Sequence, residues 1–125
     1  MAAAARALIP SLAAPGADTA CIEAAVEVMS AIPAATYRAA VTALTDFDRR
    51  ADLQGLDLPV LCVAGEADAV ATPATMAAMA RRLPRGRYVE LPGAGHLAPL
   101  EKPRAFGDLI GGWLAAFTGR HFPGD

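Results

Sequence analysis

The sequence predicts an α/β chain, with two parallel strands between flanking helices and a purely helical segment in front of them. Three observations carry that expectation. Val60 to Ala64 and Arg87 to Leu91 are short, mostly apolar runs, and each enters a turn built on glycine. Apolar residues at helical spacing separate the two runs and follow the second, and strand–helix–strand order implies a parallel pair joined by a right-handed crossover. Residues 1 to 47 carry helical spacing only.

Taken in order, residues 3 to 13 place Leu8, Ile9 and Leu12 on one helical face, and Pro10 is expected to bend or interrupt that helix. Pro15-Gly16 breaks the chain before Asp18 or Thr19, either of which can cap a helix bearing Ile22, Ala25, Val26, Met29 and Ile32. Pro33 ends it and starts the next helix, which aligns Tyr37, Ala40, Val41, Leu44 and Phe47. Residues 48 to 58 are charged, contain Gly55 and read as an irregular connector. Pro59 opens the first strand, where a missing N–H removes no interior ladder bond. Thr72-Pro73 is a cap followed by proline at the first helical position. Met76, Met79, Ala80 and Leu83 form the inward face of that helix, with the two methionines as core filling, and Arg81 and Arg82 suit its C-terminal dipole. Pro103 starts the last helix, whose stripe is Phe106, Leu109, Ile110, Trp113, Leu114 and Phe117. A polar tail containing His121 occupies residues 118 to 125.

Composition narrows the function classes. At 125 residues there is room for one domain or part of a larger one, and 54% hydrophobic residues are too many for a disordered chain. Net charge is -2, and Lys102 is the sole lysine among 11 cationic side chains, so no basic patch invites nucleic acid. Cys21 and Cys62 have neither disulfide-framework nor metal-site spacing, which points to a reduced, cytoplasmic setting. No run reaches the roughly 18 apolar residues of a membrane span. Pro10 and Ser11 interrupt the Ala-rich N-terminus and argue against a signal peptide.

The chemistry sits after the two strands. The first run leads through Gly65-Glu66-Ala67 to Asp68, and the second through Pro92-Gly93-Ala94-Gly95 to His96. Both side chains thus arrive at the strands' carboxyl ends, where open α/β sheets bind their ligands. A carboxylate that orients an imidazole, and an imidazole that moves protons, are two members of a Ser/His/Asp relay. Asp48 and Glu66 are the rival acids; Asp48 lies in the connector, and Glu66 precedes Asp68 in the same loop. Gly93-Ala94-Gly95 lacks the spacing and the following helix of a phosphate loop.

From Tyr37 to Leu114 the sequence resembles the C-terminal half of an α/β-hydrolase. Leu58-Pro59-Val60-Leu61-Cys62-Val63-Ala64-Gly65-Glu66-Ala67-Asp68, with Pro73 after it, is similar to the family's penultimate strand and acid loop. Pro92-Gly93-Ala94-Gly95-His96-Leu97, followed by Leu100-Glu101-Lys102-Pro103, resembles its histidine loop, and Phe106 to Leu114 its closing helix. The segment Tyr37 to Leu53 is similar to the cap helix returning to the core. Among subfamilies the resemblance is closest to 3-oxoadipate-type enol-lactonases and to cofactor-free haloperoxidase or esterase relatives.

The resemblance implies an incomplete α/β-hydrolase fold, with residues 1 to 47 as a cap or lid remnant and 59 to 117 as the C-terminal part of the core. It makes Asp68 and His96 the catalytic acid and histidine of a triad that hydrolyses an ester, lactone or related acyl bond without metal or cofactor. The family's nucleophile elbow, G-x-S-x-G, occurs nowhere in the 125 residues. Ser11 lies between Pro10 and Leu12, and Ser30 lies inside a helical stripe, so neither has the strand-to-helix turn that a nucleophile needs. Two expectations follow. Either the chain is a C-terminal half that works on a small acyl substrate once an N-terminal hydrolase half docks on it, or it is a non-catalytic interaction module that associates through an exposed sheet edge. Neither expectation involves nucleic acid or a membrane.

Overall fold

A computed structural model describes residues 1–118 of the chain, so His121 and the rest of the expected tail after Thr118 lie outside the described residues. Three helices lead: α1 (Ala2–Leu12), α2 (Thr19–Ala31) and α3 (Ala34–Thr45). A 3₁₀ helix (Arg50–Gly55) connects them to β1 (Val60–Gly65), α4 (Pro73–Arg82), β2 (Gly86–Leu91), α5 (Ala98–Glu101) and α6 (Pro103–Thr118). Among the described residues the sheet has two strands, paired in parallel with Val60 opposite Gly86 and Gly65 opposite Leu91. The α/β class and the parallel pair read from the sequence are the ones observed.

Alternation sorts the strand residues onto two faces. Cys62, paired with Tyr88, faces α4 and joins Ala80 and Leu83 in a core to which Met76, Met79, Val60 and Leu53 add their side chains. The methionines are core filling, as their helical spacing suggested. On the other face Val63 and Phe106 pack against Leu91, Ala94 and Ala98, below the histidine loop. The Trp113 and Phe117 rings of α6 meet edge to face, 5.1 Å apart. A third cluster, Ala5, Ile9, Ala25 and Met29, welds α1 to α2, and Leu97 from the histidine loop packs against it.

Capping follows the sequence closely. Asp18 caps α2 by accepting the Ala20 N–H at 2.9 Å, and Thr72 caps α4 by accepting from Thr75 ahead of Pro73. Four expectations change. α1 is not interrupted at Pro10, because Pro10 and Arg6 both lie on the exposed side, where water can take the Arg6 carbonyl. The connector is not irregular: its 3₁₀ helix brings Leu53 onto the Cys62 core. A short helix, α5, intervenes between the histidine loop and α6. α3 stops at Thr45, short of Phe47; of the aligned residues Tyr37 packs on the Ala5 cluster, while Val41, Leu44 and Phe47 are 43%, 68% and 68% exposed.

No single helix among the described residues is long and apolar enough to cross a membrane; α2 and α3 reach that length only as a pair, with a 97° bend between them.

Candidate active site

The site is made where the loops that follow β1 and β2 cross. β1 ends in Gly65, and a Cβ there would fall 2.5 Å from the Ala94 carbonyl oxygen, so only glycine lets the two backbones touch. The crossing is laced by backbone hydrogen bonds: Glu66 N–H donates to the Leu91 carbonyl at 3.0 Å, and Ala67 N–H to the Ala94 carbonyl at 2.8 Å. Asp68 follows at once, and its Oδ1 accepts the N–H groups of Val70 at 2.8 Å and Ala71 at 2.9 Å. Those two bonds pin the carboxylate to its own turn.

The histidine loop is held just as completely. Gly93 N–H donates to Glu66 Oε2 at 2.8 Å, and Ala94 N–H to the Leu91 carbonyl at 3.4 Å. Gly95 N–H reaches both Glu101 carboxylate oxygens, at 3.0 and 3.1 Å. His96 N–H donates to the Leu12 carbonyl at 2.8 Å, and Leu97 N–H to Glu101 Oε1 at 3.0 Å. Each amide from Gly93 to Leu97 therefore has a protein partner. Gly95 is tight for a second reason: a Cβ on it would lie 2.5 Å from the Ala14 nitrogen and 2.7 Å from the Leu12 oxygen.

The loops bring His96 Nδ1 to 3.0 Å from Asp68 Oδ2 and 3.2 Å from Oδ1. An ionised carboxylate only accepts, so Nδ1 carries the proton, and in the neutral ring Nε2 keeps a free lone pair. The Asp68 side chain is 6% exposed and that of His96 35%, so the acid is enclosed while the imidazole edge can be reached. Burial works against the Asp68 charge. The hydrogen bond from His96, the two turn amides and the electrostatic attraction of His96 together outweigh it and hold the carboxyl below its ordinary range. A buried acceptor fixed on Nδ1 with Nε2 open is the geometry of a proton-transfer imidazole.

The rival acids are engaged elsewhere. Asp48 is exposed and paired with Arg50, whose side-chain and backbone hydrogen bonds pull its carboxyl well below the usual range. Glu66 holds the Gly93 amide. Ser11 sits in α1 with its hydroxyl donated to the Leu8 carbonyl, and Ser30 sits in α2. No group of three or more metal-binding side chains occurs among the described residues. Two participants escaped the sequence reading: the Glu101 carboxylate and the Leu12 carbonyl. The carbonyl leaves no trace in a sequence. Glu101 left one, a carboxylate six residues after Gly95 and four after Leu97, one position later than in a capping box.

Consecutive parallel strands that deliver an aspartate and then a glycine-flanked histidine define the C-terminal part of an α/β-hydrolase core. The chain belongs to that family, whose sequence model, described as the alpha/beta hydrolase family, matches residues 1–109. The match reaches back beyond Tyr37 to take in all three leading helices. Among solved structures, a thermophilic esterase from Thermogutta terrifontis, with malate bound, superposes with a TM-score of 0.85 at 31% identity over 90% of this chain and 43% of its own. The enol-lactonase from Burkholderia xenovorans LB400 gives a TM-score of 0.83 at 28% identity over 92% of this chain and 45% of its own. The chain thus spans less than half the length of either structure. No curated protein gives a significant sequence match.

Proposed function

We propose that this chain supplies the acid and the histidine of an α/β-hydrolase that cleaves an ester, lactone or related acyl bond, and that a segment outside these 125 residues supplies the nucleophile. The observation that carries the proposal is the 3.0 Å bond between the enclosed Asp68 carboxylate and the reachable His96 ring. Similarity to an esterase and an enol-lactonase supports the substrate class. The absence of G-x-S-x-G from the 125 residues supports a nucleophile brought by another segment.

In the complete site a serine oxygen attacks the acyl carbon as its proton passes to His96 Nε2. Asp68 keeps the ring in its Nδ1–H tautomer and stabilises the imidazolium. Collapse of the tetrahedral species breaks the bond to the leaving group, which takes the proton from Nε2. Water then repeats the sequence on the acyl-serine and restores the free hydroxyl. The leading helices form part of the lid over the acyl pocket, and the free Cys21 and Cys62 suit a cytoplasmic setting.

The test combines the purified chain with an N-terminal hydrolase segment carrying a strand–GxSxG–helix turn. It reads hydrolysis of an activated acyl ester and labelling by a serine-directed fluorophosphonate. Alone, the chain is expected to show neither. With the segment, both appear, and His96→Ala lowers turnover by about 10²- to 10⁴-fold. A burst of product from the chain alone, lost in His96→Ala, overturns the divided site. No activity from any assembled pair leaves the reading of an interaction module that associates through its sheet edge, which a sheet of two strands among the described residues favours.

A further inference from the structure

The Glu101 carboxylate gathers more of the backbone than a helix cap requires. Capping α5 would account for its bond to Leu97 N–H at 3.0 Å. It also takes the Gly95 N–H at 3.0 and 3.1 Å, on the other side of His96. Its third donor is the Ala14 N–H at 2.8 Å, which lies 87 residues away, just beyond α1. The His96 N–H meanwhile donates to the Leu12 carbonyl in the same short segment. The residues on both sides of the histidine are thus fixed to one carboxylate, and that carboxylate is fixed to the leading helices. Gly95, with no room for a Cβ beside Ala14 and Leu12, brings the two segments into contact.

We propose that Glu101 is a positioning residue that sets the His96 ring against Asp68 and couples its position to the α1–α2 junction. This rests on the proposed role of the Asp68–His96 pair and adds a control to it: whatever shifts the helical layer shifts the imidazole. A carboxylate suits the task because its two oxygens offer about four acceptor sites and its charge strengthens each N–H bond. A glutamine at this position would present an NH₂ group to backbone donors and forfeit part of the set.

The experiment uses the chain by itself, so it does not depend on catalysis. It compares wild type, Glu101→Gln and Asp68→Asn by ¹⁵N NMR of the His96 ring and by amide hydrogen exchange. In wild type the Nδ1-protonated tautomer is expected to dominate. In Glu101→Gln the ring is expected to move toward the Nε2-protonated tautomer, and exchange at Ala14, Gly95 and Leu97 to quicken by roughly 10- to 100-fold, as for loss of a hydrogen bond to a charged group. Faster exchange with an unchanged tautomer makes Glu101 a structural cap only and overturns the proposal. Asp68→Asn separates the two readings. If it leaves the tautomer unchanged, the Asp68–His96 pair itself fails; if it shifts the tautomer while Glu101→Gln does not, only the Glu101 inference fails. Should Glu101→Gln not fold, Glu101→Asp decides on the same readings, since it keeps the charge on a side chain one methylene shorter. An intermediate shift is expected, and an unchanged ring overturns the proposal.

Discussion

The crossing of the two loops and the outer surfaces of α3 and α6 are built to opposite standards. At the crossing every amide from Gly93 to Leu97 is bonded within the chain, and at Gly65 and Gly95 the backbones approach too closely to admit a methyl group. On the outer side Leu44 of α3 and Phe47 just beyond it are each 68% exposed, and no neighbouring element lies within 4 Å of where a Cβ would stand on Gly107, Gly111 or Gly112. The chain thus completes its own polar network around the Asp68–His96 pair while it leaves apolar helix surface uncovered. The difference teaches that the pair needs no other chain to take shape, whereas α3 and the outer side of α6 leave apolar side chains uncovered within these residues.

The contrast is sharpest when one substitution is made in both places. Gly95→Ala forces a methyl against the Ala14 nitrogen and the Leu12 carbonyl, and overpacking of this kind costs about 1–3 kcal/mol, here at the upper end because both neighbours are backbone. The expected readout is a large fall in the urea midpoint, together with loss of the His96–Asp68 bond by NMR. A midpoint within error of wild type would mean that the loops are not in contact as described.

Acid titration probes the same region. Asp68 has a folded-state pKa below its ordinary value of 3.8, so it adds stability that is complete above that value and lost as pH falls through the lower, folded one. Asp68→Asn removes that dependence. It is expected to flatten the acid limb of stability below about pH 5, and near neutrality to cost about 1.5–3 kcal/mol for hydrogen bonds to a charged group. Parallel acid limbs in wild type and Asp68→Asn would show that the pair contributes nothing to folding.

On the outer side the sign reverses. Gly111→Ala meets open space inside a helix and has no positive φ to oppose it, so it is expected to raise stability by about 0.5–1 kcal/mol in thermal unfolding. Destabilisation there would place a neighbour against α6 that the chain by itself lacks. The smallest effect belongs to Leu44→Ser, which should change monomer stability by less than about 0.5 kcal/mol. Its consequence is read by analytical ultracentrifugation as weaker self-association, and a loss of several kcal/mol would show that α3 is already packed.

How far the sequence reached varies with the range of the interaction involved. The helices, their caps at Asp18 and Thr72, the parallel pair and the methionine-filled core all follow from spacings within one or two turns of chain. The continuity of α1 through Pro10 and the exposure of the α3 stripe did not follow, because each depends on what surrounds the helix. Val41, Leu44 and Phe47 have the spacing of a buried face, and a period marks which residues share a side without saying what covers it.

What the residues determined unaided is the chemistry on offer: an acid and a glycine-flanked imidazole, each delivered by the end of a short strand, in the order this family uses. Only the tertiary structure decided which acid meets the imidazole, leaving Asp48 to Arg50 and Glu66 to Gly93. It alone decided that Glu101 and the Leu12 carbonyl hold the histidine in place. The reason is physical. A side chain's identity is written at its own position, but a backbone amide or carbonyl is the same at nearly every residue, so a bond spanning 87 positions exists in the fold and nowhere in the local pattern.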